Sequence, residues 1–134
     1  MSARKININF TVTLTDQDVE DIVVTALEGG IGYWACLDNT GKEFEEAPED
    51  EPVSVTAAKI LLNGGNLCFF DEEDDSRPID MDMSDLCRGF AVWIESYSGS
   101  LALDFDHQID LSDFDAECAD IVFQIALLDD VVYG

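Results

Sequence analysis

Histidine, cysteine and closely paired carboxylates are the side chains with which a small protein moves protons, holds metals or attacks carbon. This chain of 134 residues carries one histidine, four cysteines and 30 acidic residues. His107 lies among Asp104, Asp106 and Asp110, and such neighbours hold an imidazole protonated over more of the pH range. A histidine so placed is poorly tuned as a general base and reads as a solvated residue in an acidic loop. Cys36, Cys68, Cys87 and Cys118 could join His107 around zinc, but no pair has the close C-x₂₋₄-C spacing of a structural site. Each cysteine falls in an apolar stretch, so reduced, buried packing atoms are expected. Asp104-x-Asp106 opens like a calcium loop, yet Gln108 stands at position five, Ile109 where glycine is required, and Asp115 where glutamate should close it. Neither Gly29-Gly30-Ile31-Gly32 nor Gly64-Gly65 fits a phosphate-binding fingerprint. Carboxylates are so frequent that pairs arise by chance. The sequence therefore predicts no catalytic residues, no cofactor and no dedicated metal site, and the protein is not expected to be an enzyme.

What stands out is charge. Six basic residues against 30 acids leave a net charge of -24, far from the range usual for a small domain. Direct nucleic-acid binding needs clustered Lys and Arg, and the six here are scattered as Arg4, Lys5, Lys42, Lys59, Arg77 and Arg88. Such a chain repels DNA and attracts proteins that bind DNA. A folded protein of this mass exposes roughly 7,000 Å², so evenly spread charge would amount to about one per 290 Å², against about one per 110 Å² on a duplex envelope. Imitating DNA thus requires the acids to cluster. Runs occur at 43–51, 71–75, 80–85, 104–120 and 129–130. The first two lie in expected loops, where contact residues concentrate. They give the candidate partner-binding set: Glu43, Glu45, Glu46, Glu49, Asp50 and Glu51, then Asp71, Glu72, Glu73, Asp74 and Asp75.

The elements that must carry these runs follow from periodicity. With 47% hydrophobic residues the chain can form one ordinary domain, and its aromatic and branched content sets it apart from disordered acidic chains. Residues 5–14 alternate and predict a strand. Thr15 then caps a helix with Val19, Ile22, Val23, Ala26 and Leu27 inward, and Gly29 is placed for a left-handed C-cap. Residues 31–37 read as a strand or buried turn, and 38–52 as an exposed acidic loop. A short helix over 53–63 ends at Gly64 and Gly65. Residues 66–70 and 79–83 predict a hairpin across the acidic turn 71–77, with Ile79, Met81 and Met83 inward. Ser84 or Asp85 begins a helix carrying Leu86, Cys87, Phe90, Trp93, Ile94 and Tyr97 at apolar positions, stopped by Gly99. A strand at 101–105, a helix from about 115 to 128 that buries Cys118, Ile121, Val122 and Ile125, and a short closing strand at 131–133 complete the chain. Trp34, Trp93 and Tyr97 are expected in the core. The pattern is a single α+β domain, residues 1–134, with a small, mainly antiparallel sheet and three to four helices.

The strand KININFTVTLT, the helix DQDVEDIVVTALEGG, the following IGYW and the closing VVYG resemble a group of small acidic accessory proteins of phages and conjugative elements of Gram-positive bacteria. The resemblance spans most of the chain and is anchored at its two ends. It implies a setting in which anti-CRISPR and anti-restriction proteins block host nucleases, many by covering a DNA-binding surface. The expected function is therefore a DNA-mimicking inhibitor of a basic nucleic-acid-binding protein, such as a CRISPR or restriction nuclease. A zinc-binding domain, or an accessory protein whose acidity serves only solubility or salt adaptation, is the alternative. With no long apolar stretch and no export signal, no membrane association and a cytoplasmic location are expected.

Overall fold

The computed structural model describes the backbone of residues 3–6, 11–97 and 110–134. Within them lie five helices and a three-stranded antiparallel sheet ordered β1-β2-β3, a compact α+β arrangement. The chain runs α1 (Asp16–Thr25), a π-helical turn (Ala26–Gly30), β1 (Ala35–Leu37), α2 (Lys42–Glu45), α3 (Val53–Leu62), β2 (Leu67–Asp71), β3 (Asp74–Met81), α4 (Met83–Ser96) and α5 (Ala116–Leu128).

Local chemistry sets most boundaries. Thr15 Oγ1 accepts from the Asp18 amide at 3.1 Å while Asp18 returns a carboxylate oxygen to the Thr15 amide at 3.0 Å, the reciprocal box that starts α1. The left-handed cap expected at Gly29 does not form: the helix widens into the π turn. Gly30 matters there for closeness, since a Cβ on it would stand 2.9 Å from the Ala116 carbonyl at the start of α5. Helix α4 begins earlier than expected, because Asp82 and Asp85 form a second capping box. Met83 accordingly opens that helix instead of ending a strand. In the hairpin, Leu67 pairs with Met81 and Phe69 with Ile79, and a bulge falls at Phe70/Asp71. The turn is shorter than expected, with Glu72 and Glu73 alone between the strands.

Of the strand expected over 5–14, residues 7–10 lie outside the described residues, and of the others only Thr13 makes an isolated bridge. The strand at 101–105, Gly99 and His107 also lie outside them. Residues 131–133 do not form a strand; the amides of Val132 and Tyr133 go to a side chain, as described below.

Helix α5 is the centre of the fold. Ala119, Val122, Phe123, Ile125, Ala126 and Leu127 are all buried, so it is covered on several sides. Phe69 of β2 meets Phe123 edge-on with ring centres 6.0 Å apart. Helix α4 lies so close that a Cβ on Gly89 would fall 2.4 Å from the Val122 carbonyl. Arg88 donates to the carbonyls of Ile125 and Ala126 at 3.2 and 3.1 Å and to Asp129 at 2.6 Å, closing the C-terminal end of α5 where backbone acceptors lack helical partners. Trp34 and Trp93 are buried, whereas Tyr97, at the end of α4, is exposed.

Candidate functional site

The first acidic run, expected as an exposed loop over 38–52, is in part helical, since α2 takes up Lys42–Glu45. Asp38 accepts from the amide and hydroxyl of Thr40, hydrogen bonds that hold its carboxyl below the usual range. Helix α2 follows, with Phe44 packed against the core and Glu43, Glu45 and Glu46 exposed. Lys42 and Glu46 form an open ion pair at 3.7 Å. Glu49 and Asp50 are exposed in the next turn. Glu51 differs: it accepts from Lys59 and from the Thr56 hydroxyl, which lower its carboxyl below the usual range, Lys59 most. Its side chain is only 11% exposed, so it clasps the loop to α3. A cleft of about 370 Å³ lies between run and helix, lined by Glu43, Glu46, Glu51, Thr56, Lys59 and Asn63.

The second run crosses the hairpin. Asp71 ends β2, Glu72 and Glu73 are exposed in the turn, and Asp74 and Asp75 begin β3. Asp71 accepts the Tyr133 hydroxyl at 2.8 and 3.0 Å and the Glu73 amide at 2.9 Å. The Glu72 amide donates to the Trp34 carbonyl. Asp71, like Glu51, is thus engaged in holding structure.

Sheet register separates the two runs. Ala35 is opposite Asp71, and Leu37 opposite Phe69, while the Asp38 amide donates to Cys68. The 38–52 segment therefore leaves beside the start of β2, and the 71–75 segment sits at its end. Five residues of strand place those ends about 13 Å apart. The two segments that carry the candidate residues therefore leave the sheet at different ends of β2.

The cysteines correct an expectation. All four are free, but Cys36 and Cys87 are exposed and Cys68 and Cys118 only partly covered. The cause is that an apolar stretch in sequence has two faces in space: Ala35 turns inward on β1 and Cys36 outward, and Leu86 and Phe90 take the buried face of α4. Burial pushes the thiols of Cys68, Cys87 and Cys118 up, opposite to the activation a nucleophile needs. Among the described residues no group of three or more His, Cys, Asp or Glu is placed to hold a metal ion, and no helix is long and apolar enough to cross a membrane.

One polar cluster has no counterpart in the sequence reading. Asp120, on the buried face of α5, accepts from Tyr33 at 2.5 Å, from the Trp34 indole at 2.8 Å and from Gln124 at 3.0 Å. Gln124, fully buried, also accepts the amides of Val132 and Tyr133 at 2.8 Å each and donates to the Tyr133 carbonyl at 3.0 Å. Tyr133 stacks on Trp34 with ring centres 5.4 Å apart. The signal was there in two polar residues four apart, Asp120 and Gln124, on an apolar helix. Each hydrogen bond has a structural partner, and the cluster fastens the C-terminal segment to the core. Burial and Asp120 push the Tyr33 hydroxyl up to about 12.

Comparison with known proteins found no family model that matches the chain, no similar curated protein and no similar solved structure.

Proposed function

We propose that this protein is a binding protein that occupies the nucleic-acid-contacting surface of a basic partner. The observation that carries the proposal is the state of its surface carboxylates. Among the described residues, Lys42, Lys59 and Arg88 pair with Glu46, Glu51, Asp85 and Asp129. Among those residues no cation pairs with the exposed Glu43, Glu45, Glu49, Asp50, Glu72 or Glu73. Uncompensated charge on α2, the turn after it and the β2–β3 turn steers a basic partner and is screened by salt. Glu51 and Asp71 contribute less directly, since their oxygens are already engaged. The resemblance at the two ends of the sequence points to a host-defence nuclease of the CRISPR or restriction type as the class of partner.

The test is capture from a host lysate at low salt, followed by elution with a DNA duplex or with high salt. DNA-binding proteins that are released by both support the proposal; capture that DNA does not displace overturns it. Two variants with equal net charge then locate the contact. One replaces Glu43, Glu45, Glu49 and Asp50 with their amides, the other Asp21, Glu95, Asp113 and Glu117. Selective loss in the first is expected, and equal loss in both would mean that overall charge alone acts.

A further inference from the structure

The geometry points to the outer face of the sheet as the apolar centre of the partner contact, covered in the complex by a basic amphipathic helix of that partner. This rests on the proposed function and adds the place where the partner sits. Alternation turns Ala35, Leu67, Phe69 and Met81 into the core and leaves Cys36, Cys68, Phe70, Pro78 and Asp80 on the other face. Register lines up Cys36, Phe70 and Pro78 in one row across the three strands, with Cys68 opposite Asp80. Cys36 and Pro78 are exposed, and Cys68 and Phe70 are half-buried. A concavity of about 600 Å³ opens there, lined by Cys36, Phe70, Asp71 and Glu72.

Composition and charge together say what covers this face. An antiparallel sheet with one wet face normally carries polar residues there, whereas four of these five positions hold Cys, Phe or Pro. The inner face is already packed on a helix, Phe69 meeting Phe123 of α5. Strands ~4.8 Å apart make the outer row about 10 Å wide, which matches the ~10 Å diameter of a second helix. Around the row, Asp38, Asp80 and the 71–75 run stand against a single cation of the sheet, Arg77. Burial pushes the Cys68 thiol up, and Asp80 and Asp38 add to it, so both carboxylates stand close to that side chain. Asp38 lies beside the start of β2 and Glu72 just beyond its end. An apolar centre inside a charged rim is the anatomy of a protein interface. Lys and Arg beside an apolar stripe gain from these carboxylates, and a second copy of the chain, itself at -24, is repelled.

The experiment is an amide NMR titration of the full chain with an acetylated, amidated peptide of three Lys-Leu-Ala-Lys repeats, whose leucines share one helix face. The comparison peptide has the same residues reordered so that they do not. Saturable shifts are expected at Cys36, Cys68, Phe70 and Asp80, with the reordered peptide at least ~10-fold weaker because its leucines stay in water. Cys36→Glu separates the apolar centre from general charge attraction: it adds negative charge, yet puts a carboxylate under the apolar stripe, and should weaken binding about 10-fold or more. Ser96→Glu adds the same charge at the exposed end of α4 and should leave affinity within ~2-fold. Cys36 and Ser96 are exposed, so both variants keep the fold, and their amide spectra without peptide check this. Pro78→Glu repeats the test at the other end of the row. Equal binding of the two peptides, shifts that miss the face, undiminished binding by Cys36→Glu and Pro78→Glu, or an equal loss in Ser96→Glu overturns the site. Capture from lysate and release by duplex, which test the proposed function, do not depend on this readout, so each can fail alone.

Discussion

The hydroxyl of Tyr133 donates to both carboxylate oxygens of Asp71, so the next-to-last residue of the chain is tied to the last residue of β2. That hydrogen bond, with the negative charge behind it, pushes Tyr133 up to about 12, as burial and Asp120 do for Tyr33. Both phenols are protonated more firmly in the folded state than in the unfolded one, where the ordinary value is about 10. Their contribution to stability is complete below about pH 10 and is lost as pH rises through about 12. Urea midpoints measured from pH 9 to 12 should fall less steeply for Tyr33→Phe/Tyr133→Phe than for the wild type.

Gly89→Ala should destabilise the protein by about 3 kcal/mol or more. The added methyl would sit 2.4 Å from the Val122 carbonyl, and backbone on a buried helix yields little, as in other overpacked cores. Gly32→Ala, with open space at its Cβ, should change stability by no more than ~0.5 kcal/mol. Urea denaturation of the two variants decides between close helix packing and a general intolerance of glycine replacement.

Ser54→Ala should stabilise the free protein by about 1 kcal/mol, because it removes a buried hydroxyl that has no partner. Loss of stability in the same denaturation assay would mean that the hydroxyl is satisfied in solution.

Thiol labelling of the native protein should be biphasic. Cys36, which is exposed, should react ahead of Cys68, Cys87 and Cys118, whose thiols burial pushes up. Mass spectrometry after brief treatment with a maleimide identifies the first site; uniform slow reaction of all four would restore the buried reading of the sequence.

The melting temperature should rise between ~10 mM and ~500 mM monovalent salt, as the Debye length shrinks from about 30 Å to a few Å and repulsion among like charges is screened. The motive is the net charge of -24. A flat or falling melting temperature would show the carboxylates to be compensated already.

The parts of this fold that were legible in sequence are those written in short-range chemistry. Thr15 with Asp18, the apolar spacing of α3 and the alternation of Ile79 and Met81 each fix a local conformation within a few residues. Periodicity pointed to Ser84 or Asp85 as the start of α4 and missed the cap at Asp82, because the reciprocal hydrogen bonds of Asp82 and Asp85 are a matter of geometry. Nor could it say that Cys36 and Cys87 turn outward, since which face of a short segment is buried depends on what packs against it. The two acidic runs were plain as composition. That their segments leave the sheet at different ends of β2 follows from the pairing of Ala35 with Asp71, a contact between residues 36 positions apart that no local pattern encodes. Asp120 and Gln124 were passed over because their partners, Tyr33, Trp34 and the 131–134 segment, come from both ends of the chain.

Trp34 is in effect a built-in optical reporter. Its indole N–H donates a hydrogen bond to a carboxylate on α5 and its ring lies against a tyrosine ring from the C-terminal segment, so its emission responds to release of that segment as well as to global unfolding. Trp93 belongs to a different aromatic group, with Phe90 and Phe114. In a Trp93→Phe background the remaining chromophore should show Tyr133 lifting away as a fluorescence change at lower denaturant than the main transition, giving a label-free signal for local opening in a protein this small.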